Sequence, residues 1–211
     1  MEEAEDNDNR LIIKIIVVGD MGTGKTSLIR RFVDGSFSEF YRITIGVDFA
    51  NKTIMIGDKK VEIQLWDIAG QERFGSMTGV YYRESYGSLV VFDVIRSSTF
   101  EMTKIWKDDI DSKVLTSEGS PIPTVLVANK IDLAPERWEE KKKSLLEYVK
   151  EKNFLTMFET SAKDGTNLDS CITYLAEYIV NNRIEPESSK ELTRGCELTE
   201  TSRMPKSSGC C

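Results

Sequence analysis

Histidine is absent from the sequence, and cysteine is scarce, with four residues among 211 and no CxxC pair. Without histidine, a His-based catalytic triad and a histidine general base are excluded. A zinc site is excluded as well, because neither imidazole nor paired thiolate ligands are available. Four cysteines suit a reducing compartment better than a disulfide scaffold.

The sequence also lacks a long apolar run and an excess of basic residues. No run of about 18 apolar residues occurs, so we expect no membrane-spanning helix. The formal net charge is −7. This charge argues against nucleic acid as a partner, because binding phosphate backbones needs a concentrated basic face. What remains is the composition of an ordinary globular protein, with 40% hydrophobic and 30% charged residues.

From residue 11 onward, strand-like and helix-like segments alternate. Apolar or alternating runs predict strands at residues 11–18, 47–56, 59–66, 87–94, 124–128 and 154–158. Apolar residues at helical spacing predict helices at residues 26–33, 99–114, 136–151 and 168–182. Gly57 and Asp58 form a hairpin signal between the second and third strands. The order predicts one doubly wound α/β domain, with a six-stranded, mostly parallel sheet, one antiparallel edge strand and helices on both faces.

The two ends of the sequence differ in composition from its middle. Residues 1–10 are polar and acidic, and residues 184–211 are rich in Ser, Thr, Glu and Lys with few apolar positions. Such segments bury too little apolar surface to fold, so we expect both to be disordered. The folded domain is therefore expected to span residues 11–183.

The first motif that carries chemistry follows the first predicted strand. Residues 19–26, GDMGTGKT, fit the pattern G-x-x-x-x-G-K-[ST] and precede a predicted helix. Glycines let such a loop wrap so that successive backbone N–H groups face phosphates, and the helix N-terminus adds a positive dipole. Lys25 should reach the β- and γ-phosphates, and the Thr26 hydroxyl should bind Mg²⁺. The expected nucleotide contacts in this region are Gly22, Thr23, Gly24, Lys25, Thr26 and Ser27.

The second motif, WDIAGQ, ends the third predicted strand. Asp67 on its own would indicate a helix cap or a surface turn, but a P-loop upstream favours a role in holding the metal ion. Gly70 would let its backbone N–H approach the γ-phosphate closely. Gln71 can orient an attacking water molecule, so we predict Gln71 and Lys25 as the catalytic residues.

Two further motifs, NKID at residues 129–132 and SAK at residues 161–163, each follow an apolar strand. Taken alone, each motif indicates no more than a polar turn. In this order after a P-loop, the two motifs indicate a site that distinguishes one nucleotide base from another. A carboxylate accepts both N1–H and N2–H of guanine, and adenine offers no such donor pair. Asp132 is therefore predicted to select guanine. The residues expected to complete the base site are Asn129, Lys130 over the ring, Ser161, the backbone N–H of Ala162, and Lys163.

In this order and spacing, the motifs resemble the signature regions of Ras-like small GTPases over about residues 11–183. The segment IGVDF after Thr44, the segment ERF followed by two tyrosines, and the final Cys-Cys are similar to the Rab branch. WDIAGQERFG with TIGVDFA is similar to the Rab subgroup of lysosome-related organelles and melanosomes. The resemblance implies Thr44 as a second Mg²⁺ ligand, Phe37 against the guanine edge, Tyr41 over the phosphates, and a monomeric switch that binds GTP or GDP.

The same resemblance implies partners for this switch: effectors, an exchange factor, a GTPase-activating protein and an escort or GDI-type protein that binds lipid. The implied effector surface consists of Ile45, Phe49, Trp66 and Tyr81, although ordinary core packing is the alternative for the three aromatic residues. The implied location is the cytoplasmic face of an endolysosomal or lysosome-related membrane, with a cytosolic pool.

Prenylation of Cys210 and Cys211 is the implied means of membrane attachment. From residue 185 on, five glutamates outnumber four basic residues, so no polybasic patch is available as a second anchor. Because one lipid chain binds only marginally, two chains would be needed.

Met21 is the residue that makes turnover least certain, since Ras carries glycine at the same position. Its long side chain could crowd Gln71, so we expect slow hydrolysis, on the order of 10⁻⁴ to 10⁻² s⁻¹ without a partner. Two alternatives stay open: a GTP-binding module with little or no hydrolysis, and another P-loop nucleotide enzyme.

Overall fold

A computed structural model describes residues 11–186, apart from residues 41, 75–77, 135 and 137 and the side chains of Arg73 and Phe74. The strands in this range are β1 (Leu11–Val18), β2 (Val47–Ile56), β3 (Lys59–Ile68), β4 (Gly87–Asp93), β5 (Thr124–Asn129) and β6 (Thr156–Thr160). The helices are α1 (Lys25–Asp34), α2 (Thr78–Tyr82), α3 (Ser97–Lys113), α4 (Trp138–Glu151) and α5 (Leu168–Asn181). Two short 3₁₀ helices lie at Gly70–Phe74 and Ile131–Leu133.

The six strands form one sheet in the order β2-β3-β1-β4-β5-β6. All neighbouring pairs are parallel except the β2–β3 hairpin, which is antiparallel and ends the sheet at β2. The predicted architecture is thus confirmed. In such sheets ligands bind outside the carboxyl ends of the strands, where the strand order reverses. Here that point lies at β1, directly before the GDMGTGKT loop.

Side chains of successive residues on β1 enter two separate cores, one on each face of the sheet. Ile13, Ile15 and Val17 belong to a core shared with α1 and α5. Ile16 and Val18 belong to a second core shared with α3 and α4. All five are fully buried. This double burial explains why the strand reads as a continuous apolar run, and it holds the loop after β1 between two packed layers.

Some element boundaries differ from those that the sequence predicts. β6 spans Thr156–Thr160 where residues 154–158 were expected, because Phe154 is buried in the α3–α4 core before the strand begins. The prediction assigned no element to residues 70–82, where the structure has a 3₁₀ helix and α2. Each is five residues long, which is too short to show helical periodicity.

The packed domain extends slightly beyond the predicted boundary at residue 183. Ile184 packs against the core shared with α1 and α5. The backbone N–H of Ser117 donates to the carbonyl of Glu185 at 2.8 Å, and Pro186 forms an isolated antiparallel bridge with Thr116. The expectations for residues 1–10 and 187–211 lie outside the described residues. Within the described ranges, no helix is both long and apolar enough to cross a membrane.

Candidate functional site

The loop between β1 and α1 depends on glycine at defined positions. Gly19, Gly22 and Gly24 have φ angles of 143°, 72° and 94°, a region that other residues rarely adopt. A Cβ at Gly19 would lie 2.1 Å from the carbonyl oxygen of Val91. Among the described residues no side chain caps the N-terminus of α1, so its first N–H groups are available to an anion.

Lys25 is enclosed by this loop. Lys25 is only 5% exposed, and its Nζ donates to the carbonyls of Gly19 and Asp20 at 2.9 and 3.0 Å. Burial lowers the pKa of Lys25 to about 8, an effect that the nearby charge of Asp67 partly offsets. The ammonium group is therefore poorly solvated, and a phosphate group would be a favourable counter-ion for it.

Three oxygen-bearing side chains from separate segments meet beside Lys25. The hydroxyl of Thr26 donates to Asp67 Oδ2 at 2.5 Å and lies 2.7 Å from the hydroxyl of Thr44. Asp67 is 2% exposed, and burial raises the pKa of its carboxyl. Its Oδ1 atom is buried and has no hydrogen-bond partner among the described residues. Such an atom is suited to a cation or an ordered water.

These residues fit Mg²⁺, which prefers oxygen ligands in octahedral geometry and keeps several waters. The described ranges contain no group of three or more His, Cys, Asp or Glu residues that could hold a metal ion. The Thr26, Thr44 and Asp67 set offers two hydroxyls and one carboxylate. It could therefore hold Mg²⁺ only together with phosphate oxygens and water.

Gly70 and Gln71 approach the phosphate loop from the 3₁₀ helix after β3. A Cβ at Gly70 would lie 2.4 Å from the backbone nitrogen of Met21, so no larger residue fits without displacing the loop. Gln71 and Met21 line the same cavity, and Met21 is 50% exposed there. The prediction that Met21 crowds Gln71 concerns two residues of this one cavity wall.

Asn129, at the end of β5, joins three of the predicted motifs. It is fully buried, and its Nδ2 donates to the carbonyl of Thr23 at 2.8 Å. Its Oδ1 accepts from the hydroxyl of Thr160 at 3.2 Å and from the backbone N–H of Ala162 at 3.3 Å. The side chain therefore holds the phosphate loop, NKID and SAK in one arrangement.

Asp132 is oriented from the SAK segment. Its Oδ1 accepts from the hydroxyl of Ser161 at 2.7 Å. The Ser161 oxygen in turn accepts from the backbone N–H groups of Lys163 and Asp164 at 3.2 and 3.3 Å. Asp132 is exposed and lies at the cavity wall, so its carboxylate is held in position while it remains accessible to a base.

These groups surround one cavity of about 670 Å³, a size that suits a small-molecule ligand. The predicted site residues that line it are Gly22, Gly24, Lys25, Thr26, Ser27, Phe37, Thr44, Ile45, Gly70, Gln71, Asn129, Lys130, Asp132, Ala162 and Lys163. Thr23, Asp67 and Ser161 lie behind the lining and bond to it. Tyr41, Cys210 and Cys211 lie outside the described residues.

The predicted effector residues lie on the β2–β3 hairpin, on the segment just before it and on α2. Phe49 pairs with Trp66 across the β2–β3 ladder, with ring centroids 5.8 Å apart, and Phe49 is 66% exposed. Trp66 and Tyr81 are partly buried against the α3–α4 core. Ile45 is almost fully exposed. The set therefore mixes exposed apolar surface with ordinary packing.

Sequence reasoning missed Asp93, which ends β4. It is fully buried, and its Oδ2 accepts from Lys130 Nζ at 2.7 Å. Lys130 also donates to the carbonyl of Gly22 at 2.9 Å. A carboxylate at the carboxyl end of an apolar strand was the signal that could have identified Asp93, because the same signal identified Asp67.

Comparisons with known proteins agree with this geometry. A sequence model for the Ras family matches residues 14–181. The chain is 47% identical over 207 residues to Ras-related protein Rab-32A of Dictyostelium discoideum, covering 96% of this chain and 94% of that protein. It is 46% identical to Ras-related protein Rab-32 of Homo sapiens, covering 95% and 89%. It is 40% identical to Ras-related protein Rab-7L1 of Rattus norvegicus, covering 95% and 97%.

Proposed function

Since the chain belongs to the Ras family and, within it, to the Rab GTPases, we propose that it is a Mg²⁺-dependent guanine-nucleotide switch that hydrolyses GTP slowly. The observation that carries the proposal is the position of Asp132. Ser161 holds it at the wall of the cavity that Lys25 and Thr26 also line. One ligand with a guanine at one end and phosphates at the other fits both groups.

In this proposal the phosphates lie in the loop at residues 19–26. Lys25 and the loop N–H groups stabilise the negative charge that develops during γ-phosphate transfer to water. Mg²⁺ held by Thr26, Thr44 and the surroundings of Asp67 would neutralise charge between the β- and γ-phosphates. Gln71 orients the attacking water, and the Gly70 N–H contacts the γ-phosphate. Asp132 accepts N1–H and N2–H of the base.

Hydrolysis is slow in this proposal because no arginine among the described residues acts on the γ-phosphate and because Met21, which lines the same cavity as Gln71, crowds it. The expected rate stays on the order of 10⁻⁴ to 10⁻² s⁻¹. A GTPase-activating protein would supply the additional positive charge, and an exchange factor would replace GDP by GTP.

The output of the switch is the recruitment of effectors to a membrane in intracellular trafficking. Nucleotide-dependent ordering of residues 37–49 and 68–82 would present Ile45, Phe49, Trp66 and Tyr81 as one surface. Two prenyl groups on Cys210 and Cys211 would attach the monomer to the cytoplasmic face of an endolysosomal or lysosome-related membrane. A GDI-type protein would hold the cytosolic pool.

Single-turnover hydrolysis of bound GTP tests the proposal. Purified chain is loaded with GTP, Mg²⁺ is added, and GDP is quantified over many hours at 25 °C. We expect full conversion, slowed roughly tenfold or more in Gln71→Leu because the water loses its positioning group. Glu72→Gln, which changes the charge of the half-buried neighbouring residue, serves as the control and should hydrolyse at the wild-type rate.

The two alternatives predict different results, one in this hydrolysis assay and the other in competition between ATP and GTP. Bound GTP that never converts would favour a binding module without turnover. ATP that displaces GTP at similar concentration would favour another P-loop enzyme and would contradict the role of Asp132.

A further inference from the structure

Three consecutive carbonyls of the phosphate loop, at residues 21–23, each accept a hydrogen bond from a different side chain. Asn129 donates to the carbonyl of residue 23 at 2.8 Å, and Lys130 donates to the carbonyl of residue 22 at 2.9 Å. The third donor is Arg96, whose Nη2 lies 2.9 Å from the carbonyl oxygen of residue 21. Arg96 belongs to none of the nucleotide motifs, and it reaches the loop from 75 positions away in the sequence.

Arg96 is held in this position by the buried carboxylate that ends β4. Its Nε donates to Asp93 Oδ2 at 3.0 Å, and the same oxygen accepts from Lys130 at 2.7 Å. The other carboxylate oxygen accepts from the backbone N–H of Ile95 at 3.1 Å. Because the guanidinium is a rigid planar fork, the Nε contact fixes the direction of the Nη2 contact. Arg96 therefore connects the loop to the sheet.

The contact determines the orientation of one peptide group. In a planar trans peptide the carbonyl and the following N–H point in opposite directions. When Arg96 draws the Met21 carbonyl outward, the N–H of Gly22 is turned the opposite way, toward the inner side of the loop. Gly22 has a φ of 72° and no side chain, so no side chain of its own restrains this peptide.

We propose that Arg96 is a positioning residue of the phosphate loop, which keeps the Gly22 N–H directed at the β-phosphate and so slows release of guanosine diphosphate and triphosphate. The proposal rests on the proposed function, in which the loop at residues 19–26 takes those phosphates. Base recognition should not depend on Arg96. Lys130 keeps its own bonds to Asp93 and Gly22 when Arg96 is replaced, and Asn129 and Asp132 are held by Thr160 and Ser161.

A role of Arg96 in the structure of α3 can be separated from its role at the phosphate loop. The backbone carbonyl of Arg96 accepts from the N–H and the hydroxyl of Thr99 at 3.0 and 2.7 Å, which starts the helix. Its side chain makes no cap hydrogen bond. Replacing the side chain therefore keeps the backbone bonds that start α3 and removes the contacts with Met21 and Asp93.

The test measures dissociation of fluorescent methylanthraniloyl-GDP from the full chain with Mg²⁺ present. We expect Arg96→Ala to release GDP roughly three- to tenfold faster, as for loss of one charge-assisted hydrogen bond at a partly exposed site. Arg96→Lys should be intermediate, because an ammonium cannot bridge Asp93 and Met21 with the geometry of the fork. Arg83→Ala is the control. Arg83 is another exposed arginine and lies beside Lys14, which is on the amino-terminal half of β1. This variant should release GDP at the wild-type rate.

A second ligand separates positioning from general loosening. GMP lacks the β-phosphate, so its affinity, measured by competition, should be the same in Arg96→Ala and in wild type. Equal weakening of GMP and GDP, or GDP release unchanged in both Arg96 variants, would overturn the inference. If Arg96→Ala does not fold, Arg96→Lys decides by the same two readouts. Wild-type protein that does not bind GDP would instead refute the proposed function.

Discussion

Base selection in the proposed function depends on a single carboxylate and on the hydroxyl that orients it. An Asp132→Asn substitution keeps the shape and can still accept from Ser161, but it places an amide N–H₂ opposite guanine N2–H. We expect GDP affinity to fall roughly 100-fold or more, because two charge-assisted hydrogen bonds are lost. Xanthosine diphosphate, which carries an acceptor at that position, should bind the variant better than GDP does.

Competition against methylanthraniloyl nucleotides measures both affinities. Asp164→Asn is the matched control, since Asp164 is exposed in the adjacent loop outside the cavity lining and its Oδ1 accepts from the Thr166 N–H at 2.8 Å. It should bind GDP as wild type does. Undiminished GDP binding by Asp132→Asn would show that another group selects the base.

Lys25 should make nucleotide binding depend on pH. Burial lowers its pKa to about 8, and the phosphates of GDP would raise it again. Near pH 8, binding should therefore take up roughly half a proton, and affinity should fall as the pH rises above 8. Below pH 7 the amine is already protonated, so this contribution to affinity is complete there.

Isothermal titration of GDP at pH 8 in buffers with different ionisation enthalpies measures the proton uptake. Lys14→Met is the control, because burial lowers the pKa of Lys14 to about 8 as well, although Lys14 lies over the Trp66 ring and not in the cavity. The variant should retain the uptake. An observed heat independent of the buffer would contradict the role given to Lys25.

Individual site residues were predictable where a motif is local in sequence. The phosphate loop, NKID and SAK each occupy a few consecutive residues after a strand, and the structure brings them together around one cavity. Contacts such as Lys130 with Asp93 and Arg96 with Met21 were not predictable. They join residues 37 and 75 positions apart, and their existence depends on which strands become neighbours.

Among the described α-helices, α2 depends most on contacts with its neighbours. It has five residues, so it can retain few internal hydrogen bonds and must be held by its neighbours. Lys113, at the end of α3, donates to the buried hydroxyl of Thr78 at 2.7 Å and pairs with Asp109 at 2.5 Å. Through Lys113, α3 holds the segment that follows Gln71.

Lys113→Ala should loosen α2 in particular. It leaves the Thr78 hydroxyl without this donor, which we expect to lower the free energy of unfolding by about 1 to 2 kcal/mol. The ion pair adds little because the Lys113 side chain is more than a third exposed. Hydrogen exchange followed by mass spectrometry should show faster exchange in residues 78–82, while β1 stays protected.

Lys104→Ala provides the comparison on the same helix. Lys104 pairs with Asp108 at 2.5 Å, and both side chains are more than half exposed. Its loss should cost less than about 0.5 kcal/mol. Equal destabilisation by the two variants, or unchanged exchange in α2, would contradict the proposed contact between the helices.

Predictability at the element scale follows from burial. β1, β4 and β5 are buried on both faces and read as continuous apolar runs, so their existence and approximate ends were predictable. The predicted position of β6 was two residues too early, because Phe154 is apolar for its packing in the α3–α4 core and not as part of the strand. Its ring lies 5.9 Å from that of Tyr148 in the α4 layer.

For the whole molecule, the alternation of strands and helices was enough to predict the architecture, and the Rab relatives confirm the family resemblance. The strand order was not predictable from that alternation alone. It places β1 between β3 and β4, which brings the ends of β1, β3 and β5 to one edge. This common edge is the reason that motifs from distant parts of the chain share a cavity.

Membrane attachment is also a property of the whole chain. An anionic membrane surface does not attract a protein with a net charge of −7 whose last residues carry no basic cluster. In the proposed function attachment therefore comes from lipid, and one lipid chain gives only marginal binding. We therefore expect the full chain from eukaryotic cells to partition into the detergent phase only when both Cys210 and Cys211 are present. A Cys210→Ser/Cys211→Ser double variant should remain in the aqueous phase, and each single variant should divide between the two.

Cys196→Ser is the control for loss of a cysteine near the same end of the sequence, and it should partition as wild type does. A prenylation inhibitor added to cells that express the wild-type chain should reproduce the double variant. If the double variant enters the detergent phase as fully as wild type does, some other group attaches the protein. The residues that line the cavity lie between 21 and 163, so nucleotide affinity should be the same in all variants. Loss of partitioning would then report on attachment and not on folding.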